Sequence, residues 1–231
     1  KGKVIGWPSN MTGAEVIQFM INKASSAPKG VDPNNGFNYP QLISKFAMGA
    51  VFYNQACTNY LGDKKLSSGS KPNDAPYKKG AKYTGKEHVW DEAFGYWGAA
   101  AHTLTLSPKE SYEVAKKKNL TAADYNKDGV VDAGTEMTYA HAYYASGFDK
   151  GGKTNYLETV TRAFLTGRET ITSAKGQKLG WNGRNGGKGI IKQASIICSN
   201  WEKVIAEAVF KYAGSVYKDL ENMKENTDDA K

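Results

Sequence analysis

The chain has 231 residues, 40% hydrophobic and 23% charged, which is ordinary for a globular protein and enough to bury a sizeable core. Lys+Arg exceed Asp+Glu by 31 − 23 = 8, yet the basic residues are dispersed as Lys64-Lys65, Lys78-Lys79 and Lys116 to Lys118. Without an Arg-rich arm, zinc-finger spacing or RNA-binding signature, a solvated basic surface is favoured over a polyanion or anionic membrane as partner, and no nucleic acid is expected.

The predicted elements are nearly all helical. Thr12-Gly-Ala-Glu15 is a capping box that opens a helix to about Ser26. A Pro/Gly/Asn-rich loop covers Lys29 to Asn38. Pro40 sits in the first turn of a long helix that stops at Gly62, with Leu42, Phe46, Ala50, Tyr53 and Cys57 spaced as one buried face. A polar connection from Asp63 to Tyr83 leads to a second capping box, Thr84-Gly-Lys-Glu87, and a helix through His102. Ser107-Pro108-Lys-Glu110 starts a short helix that ends near Lys118. Further helices are expected from about Thr135 to Ser146, Asn155 to Thr172 and Ile190 to Asn222. Gly147 to Thr154 is read as a break, Gly176 to Gly189 as a glycine-rich loop, and 221–231 as a charged, frayed tail. The sum is an all-α bundle of about seven helices with long loops, in a single domain over 1–231. No run approaches 18 apolar residues, so no segment reads as membrane-spanning.

The sharpest motif is Asp124-Tyr-Asn126-Lys-Asp128-Gly129-Val130-Val131-Asp132, with Glu136 beyond it. Oxygen side chains stand at loop positions 1, 3, 5 and 9, a glycine at 6 and an apolar residue at 8, the ligand rhythm of a calcium loop. A hard cation takes six to eight oxygens, and alternate residues of a tight loop aim theirs inward. The expected ligands of a structural Ca2+ are Asp124, Asn126, Asp128, the carbonyl of Val130, Asp132 and Glu136. The pattern departs at position 12, which is Thr135, the acid coming one residue late. A polar Asx-turn loop without a metal is the alternative.

The second cluster is Glu87-His88-Val-Trp90-Asp91-Glu92-Ala-Phe-Gly95-Tyr96-Trp97-Gly98. At about 100° per residue, His88, Asp91 and Glu92 share a helix face, and His102 would return within about 40° of His88. The four form a candidate ligand or second metal site, weighed against a buried structural hydrogen-bond network. The HExxH pattern of zinc proteases is absent, as are G-x-S-x-G, P-loop and Rossmann fingerprints. Gly167 inside a helix suggests close helix packing, and Arg168 beside it could pair with a buried acid such as Glu92 or remain a surface ion pair. Cys57 and Cys198 lack zinc-site spacing; either they bridge, as an exported protein permits, or they are buried thiols.

These segments together resemble a family of bacterial exported proteins, often lipoproteins, known as domain of unknown function 4856. The resemblance is carried by His88 to Gly98, Lys45-Phe-Ala-Met-Gly-Ala-Val-Phe-Tyr53, the acidic loop Asp124 to Glu136, Phe164-Leu-Thr-Gly-Arg-Glu-Thr-Ile171 and Trp201-Glu-Lys-Val-Ile205. It covers roughly Gln41 to the end. Family members are usually longer at the amino end, which implies that this chain is the C-terminal portion of a longer protein. The family loop also carries its Glu one residue late, which implies Glu136 as a ligand. The helical, extracytoplasmic setting is similar to imelysin-like proteins, some of which serve metal or haem uptake. Their Gly-x-His-x-x-Glu motif is not present here, and His88-Val-Trp-Asp91 is at best an analogue.

The favoured expectation is an extracytoplasmic (periplasmic, outer-membrane-anchored or secreted) calcium-stabilised binding protein for metal, haem or another nutrient. Membrane association would come only through an anchor outside this chain. A calcium-dependent structural or adhesive cell-surface component is one alternative. A metal-dependent hydrolase using His88 with Asp91 or Glu92 is another, and the less favoured.

Overall fold

The computed structural model describes residues 2–66, 72–174, 177 and 187–225. The architecture is all-α. Nine α-helices are present among the described residues: α1 (Gly13–Ser26), α2 (Tyr39–Ala47), α3 (Asp63–Leu66), α4 (Gly85–Trp97), α5 (Pro108–Ala115), α6 (Leu120–Ala123), α7 (Ala140–Asp149), α8 (Tyr156–Ser173) and α9 (Gly187–Glu225). α3 and α6 are single turns, so seven helices carry the fold. Extended pairing among the described residues is confined to three isolated bridges. The chain divides into two compact units, Lys1–Gln55 and Ala56–Lys231.

In the first unit, α1 starts on the predicted capping box: the Thr12 hydroxyl accepts from the Glu15 amide, and Glu15 Oε2 accepts from the Thr12 amide at 2.6 Å. α1 and α2 bury Val16, Met20 and Tyr39, with Trp7, Ile43 and Phe46 packed around them. The predicted continuous helix to Gly62 is corrected. After Ala47 the chain winds as a π-helix from Met48 to Tyr60. Hydrogen bonds from i to i+5 widen each turn, so a 3–4 spacing no longer holds one face. Leu42, on α2, is exposed, and the residue buried in the π-helix is Ala56 rather than Cys57.

The second unit is built on α8 and α9, with α4 and α7 packed against them. Its core holds Trp90, Trp97, Trp201, Phe164, Ile171 and Ile197. Trp97 meets Trp201 edge to face, centroids 4.9 Å apart. Gly167 is where Trp90 enters α8: a Cβ there would overlap the indole, 2.6 Å from Cη2. The indole Nε1 then donates to the Phe164 carbonyl at 2.8 Å. A glycine costs about 1 kcal/mol in a helix interior, and the buried tryptophan is its compensation. Cys57 and Cys198 form a disulfide with Cα atoms 5.7 Å apart, closing a loop of sequence separation 141.

Boundaries of α4, α7 and α9 differ from the sequence reading. α4 ends at Trp97 because Gly98 adopts φ +83 as a left-handed cap, its carbonyl accepting from the Tyr139 amide at 2.7 Å. A Cβ at Gly98 would lie 2.9 Å from the Tyr139 carbonyl oxygen. α7 begins at Ala140, not Thr135, because the backbone from Thr135 to Tyr139 is engaged with residues 98–101 instead. Gly147, read as a break, lies inside α7. Gly187 to Gly189, read as loop, begin α9, which runs on through the first residues of the supposed tail to Glu225. Most of the predicted 176–189 loop and residues 226–231 lie outside the described residues.

Candidate functional site

The 124–136 loop is organised by its own side chains. Asp124 Oδ1 and Oδ2 accept from the amides of Asp128 (3.2 Å) and Gly129 (3.0 Å). Asn126 Oδ1 accepts from the Asp128 amide at 3.0 Å, and Asp128 Oδ1 from that of Val130 at 2.8 Å. Asp132 Oδ1 accepts from the amides of Gly134 and Thr135. Gly129 takes φ +84, the turn for which a glycine is needed at position 6. Glu136 is only 5% exposed; Oε1 accepts from the amides of Tyr125 and Asn126, and Oε2 from that of Asp132. The late acid therefore closes the loop from the inside. Val131, at position 8, packs on the buried cluster Val114, Ala123 and Met137. The donor set is all oxygen, which suits a hard cation. Among the described residues, however, no group of three or more His, Cys, Asp and Glu side chains is gathered as a metal shell. The loop thus combines the oxygen order of the calcium pattern with an internal hydrogen-bond scaffold, without a converged ligand set among the described residues.

His102 does not share the α4 stripe of His88, Asp91 and Glu92. Because α4 stops at Trp97, His102 falls in the turn before Thr103. It is 7% exposed, its ring stacks on Tyr125 at 4.9 Å, and Nε2 donates to the Ala122 carbonyl at 3.0 Å. It thus braces the loop's first turn.

His88, Asp91 and Glu92 do share a face of α4, and each is engaged by the protein. His88 Nε2 lies 3.2 Å from Glu92 Oε1, and its ring stacks on Tyr77 at 3.8 Å and on Tyr83 at 5.7 Å. Glu92 also accepts from the Tyr60 hydroxyl, whose pKa is pushed up to about 12 by that hydrogen bond first and by burial second. Asp91 Oδ1 lies 2.7 Å from Arg168 Nε. Arg168 Nη1 reaches Glu87 Oε1 at 2.8 Å and also meets the Thr172 hydroxyl. Glu87 Oε2 meanwhile accepts from the Thr84 amide at 2.7 Å, completing the predicted capping box. Burial pushes the Glu87 carboxyl up, but the Thr84 amide and Arg168 outweigh it and hold it below the usual range. Arg168 therefore pairs with Glu87 and Asp91, not with Glu92.

Two features escaped sequence reasoning. Lys86 is fully buried, donates from Nζ to the Lys65 carbonyl at 2.9 Å, and is lowered to about 8 by that burial. Nothing in Thr84-Gly-Lys-Glu marks this lysine as an interior one. Asn73 is the other: its Nδ2 donates to the carbonyls of Ile171 and Ala174, both at 2.9 Å, and its Oδ1 accepts from the Thr84 hydroxyl at 2.8 Å. It ties the end of α8 to the start of α4 across about a hundred residues of chain. Beside that knot lies a cavity of about 230 Å³, bordered by Pro76, Lys82 and Tyr83 among others.

Among the described residues, no helix is long and apolar enough to cross a membrane. No curated protein and no solved structure matches the chain. One family profile does match, over residues 27–230, beginning earlier than the resemblance at Gln41 suggests. With nearly the whole sequence covered, the chain belongs to the family described as domain of unknown function DUF4856.

Proposed function

We propose that this chain is an extracytoplasmic, calcium-stabilised helical binding protein. The observation that carries the reading is the 124–136 loop, whose acidic and amide side chains gather its own amides around Gly129, with Glu136 buried beneath. Asp124, Asn126, Asp128, Asp132 and Glu136, with the Val130 carbonyl, are the groups that would hold the ion. A bound ion would neutralise a cluster of carboxylates and tighten the loop over its Val131 anchor. The Cys57–Cys198 disulfide supports an extracytoplasmic setting, because such bonds persist in oxidising compartments. Binding is favoured over hydrolysis because His88, Asp91 and Glu92 are each committed to a partner on the protein. They read as the network that fastens α4.

The test is metal analysis of the natively purified protein by mass spectrometry, with melting scans in calcium and in chelator. One calcium per chain is expected. A hundredfold excess over Kd should stabilise the fold by about 2.7 kcal/mol, and Asp128→Ala should remove most of that gain. A melting curve indifferent to chelator, or an Asp128→Ala variant that responds like wild type, overturns the assignment.

A further inference from the structure

Three lysines gather around one pair of stacked tyrosines in the second unit. Tyr112 on α5 and Tyr143 on α7 have centroids 5.3 Å apart and planes inclined by 20°. Lys150, just past α7, sets Nζ 3.9 Å from the Tyr112 centroid, and Lys116, at the end of α5, sets Nζ 5.2 Å from that of Tyr143. Lys211 on α9 borders the same hollow, whose volume is about 280 Å³. Gly147 lets the rings approach, since a Cβ there would stand 3.3 Å from Tyr112 Cε2. Behind them the Tyr144 and Tyr212 hydroxyls are hydrogen-bonded at 3.0 Å, fixing α7 to α9.

The charge of this hollow is unbalanced. Among the described residues, none of the three lysines forms an ion pair, and no carboxylate borders the hollow. The Tyr112 phenol registers the field. Its hydrogen bond with Tyr143 comes first; burial pushes the other way; Lys150, Lys116 and Lys211 then add to hold its pKa below the ordinary tyrosine value. Ammonium groups converging on a concave surface focus a positive potential and raise the local concentration of anions. Aromatic faces beside them favour a flat body over a bare ion. A volume at the small end of ligand clefts suits a single ring.

We propose that the hollow between α5, α7 and α9 binds a small organic anion carrying a ring, its negative group met by Lys150 and Lys211 and its ring laid against the tyrosine pair. In naming a ligand class, this inference rests on the binding-protein reading for its biological role. The full chain, in excess calcium, is titrated calorimetrically with three probes: 4-hydroxybenzoate (ring and charge), inorganic phosphate (charge alone) and phenol (ring alone). 4-Hydroxybenzoate should bind one per chain and at least about tenfold tighter than the other two. Lys150→Gln and Lys211→Gln should each weaken it about tenfold, or about 1.4 kcal/mol, with the melting temperature held at the wild-type value. Equal affinity for phosphate, heats that survive both substitutions, or no binding by 4-hydroxybenzoate overturns the proposal. Melting in chelator is read on the same samples. Anion binding with no calcium response would sink the loop assignment alone, and a calcium response without anion binding would sink the hollow alone.

Discussion

The α4–α8 seam and the α5–α7 hollow both set charged side chains against aromatic rings, but they balance the charge differently. In the seam, Arg168 lies between Glu87 and Asp91, and His88 meets Glu92. Arg168, the cation of the seam, has two carboxylates, and Trp90 is locked into the gap left by Gly167. In the hollow, Lys150 and Lys211 border the phenol rings, with Lys116 close by over Tyr143, and no carboxylate is among the bordering residues. A charge whose partner is built in contributes to one geometry of the fold. Charges of one sign left without a carboxylate contribute little to stability and leave a field that something else can satisfy. The seam is accordingly read as structure, and the hollow as a place for a ligand.

Two substitutions probe the seam side of this contrast, and a third tests an exposed ion pair on α8 for comparison. The largest effect is expected from Gly167→Ala. Its Cβ would collide with a tryptophan that is 1% exposed, so neither helix can yield cheaply. Overpacking of this kind should cost about 3 kcal/mol, against the gain alanine normally brings to a helix. Chemical denaturation measures it, and a variant as stable as wild type would show that α4 and α8 are not packed this closely.

Glu87→Gln should come next, at about 2 kcal/mol, because it removes a charge-assisted bond to Arg168 while leaving an acceptor for the Thr84 amide. The same carboxylate sets a pH dependence. Its folded pKa is depressed, so the stability it contributes is present above the unfolded value of about 4.3 and is lost as pH falls through the folded pKa. Wild type and Glu87→Gln should therefore converge in stability on acidification below about pH 4. Curves that stay parallel down to that range would remove Glu87 from the network.

The smallest effect belongs to Arg162→Ala. Arg162 makes a 2.6 Å contact with Glu158, but both are exposed one turn apart on α8. A change of no more than about 0.5 kcal/mol is expected. A larger loss would mean that ion pairs on this protein cannot be ranked by burial, and the contrast between seam and hollow would weaken with it.

Much of the secondary structure was legible because its signals are local. The capping boxes at Thr12 and Thr84 satisfy amides three residues away, so a four-residue string is enough to locate them. The order of oxygen side chains in the 124–136 loop was legible for the same reason, while the acceptance of three loop amides by Glu136 was not. Differences arose where the observed backbone departed from a local preference. The apolar spacing before Gly62 suits an α-helix, yet the chain winds as a π-helix from Met48. His102 follows the angular arithmetic of an unbroken helix, but Gly98 turns left-handed where the Tyr139 backbone crosses it. The lysine of the second capping box looks like a surface residue and is buried.

The sequence by itself determined the all-α class, the helix starts marked by capping boxes, the order of oxygen side chains in the 124–136 loop and the family, because these depend on residues within about a turn of each other or on strings carried intact. Only the tertiary structure decided which acids Arg168 meets, that Cys57 reaches Cys198, and that residues from α5, α7 and α9 share one hollow. Such pairings join positions tens to more than a hundred residues apart. No local pattern encodes them, since burial and helix packing choose among many partners that are chemically equivalent in the sequence.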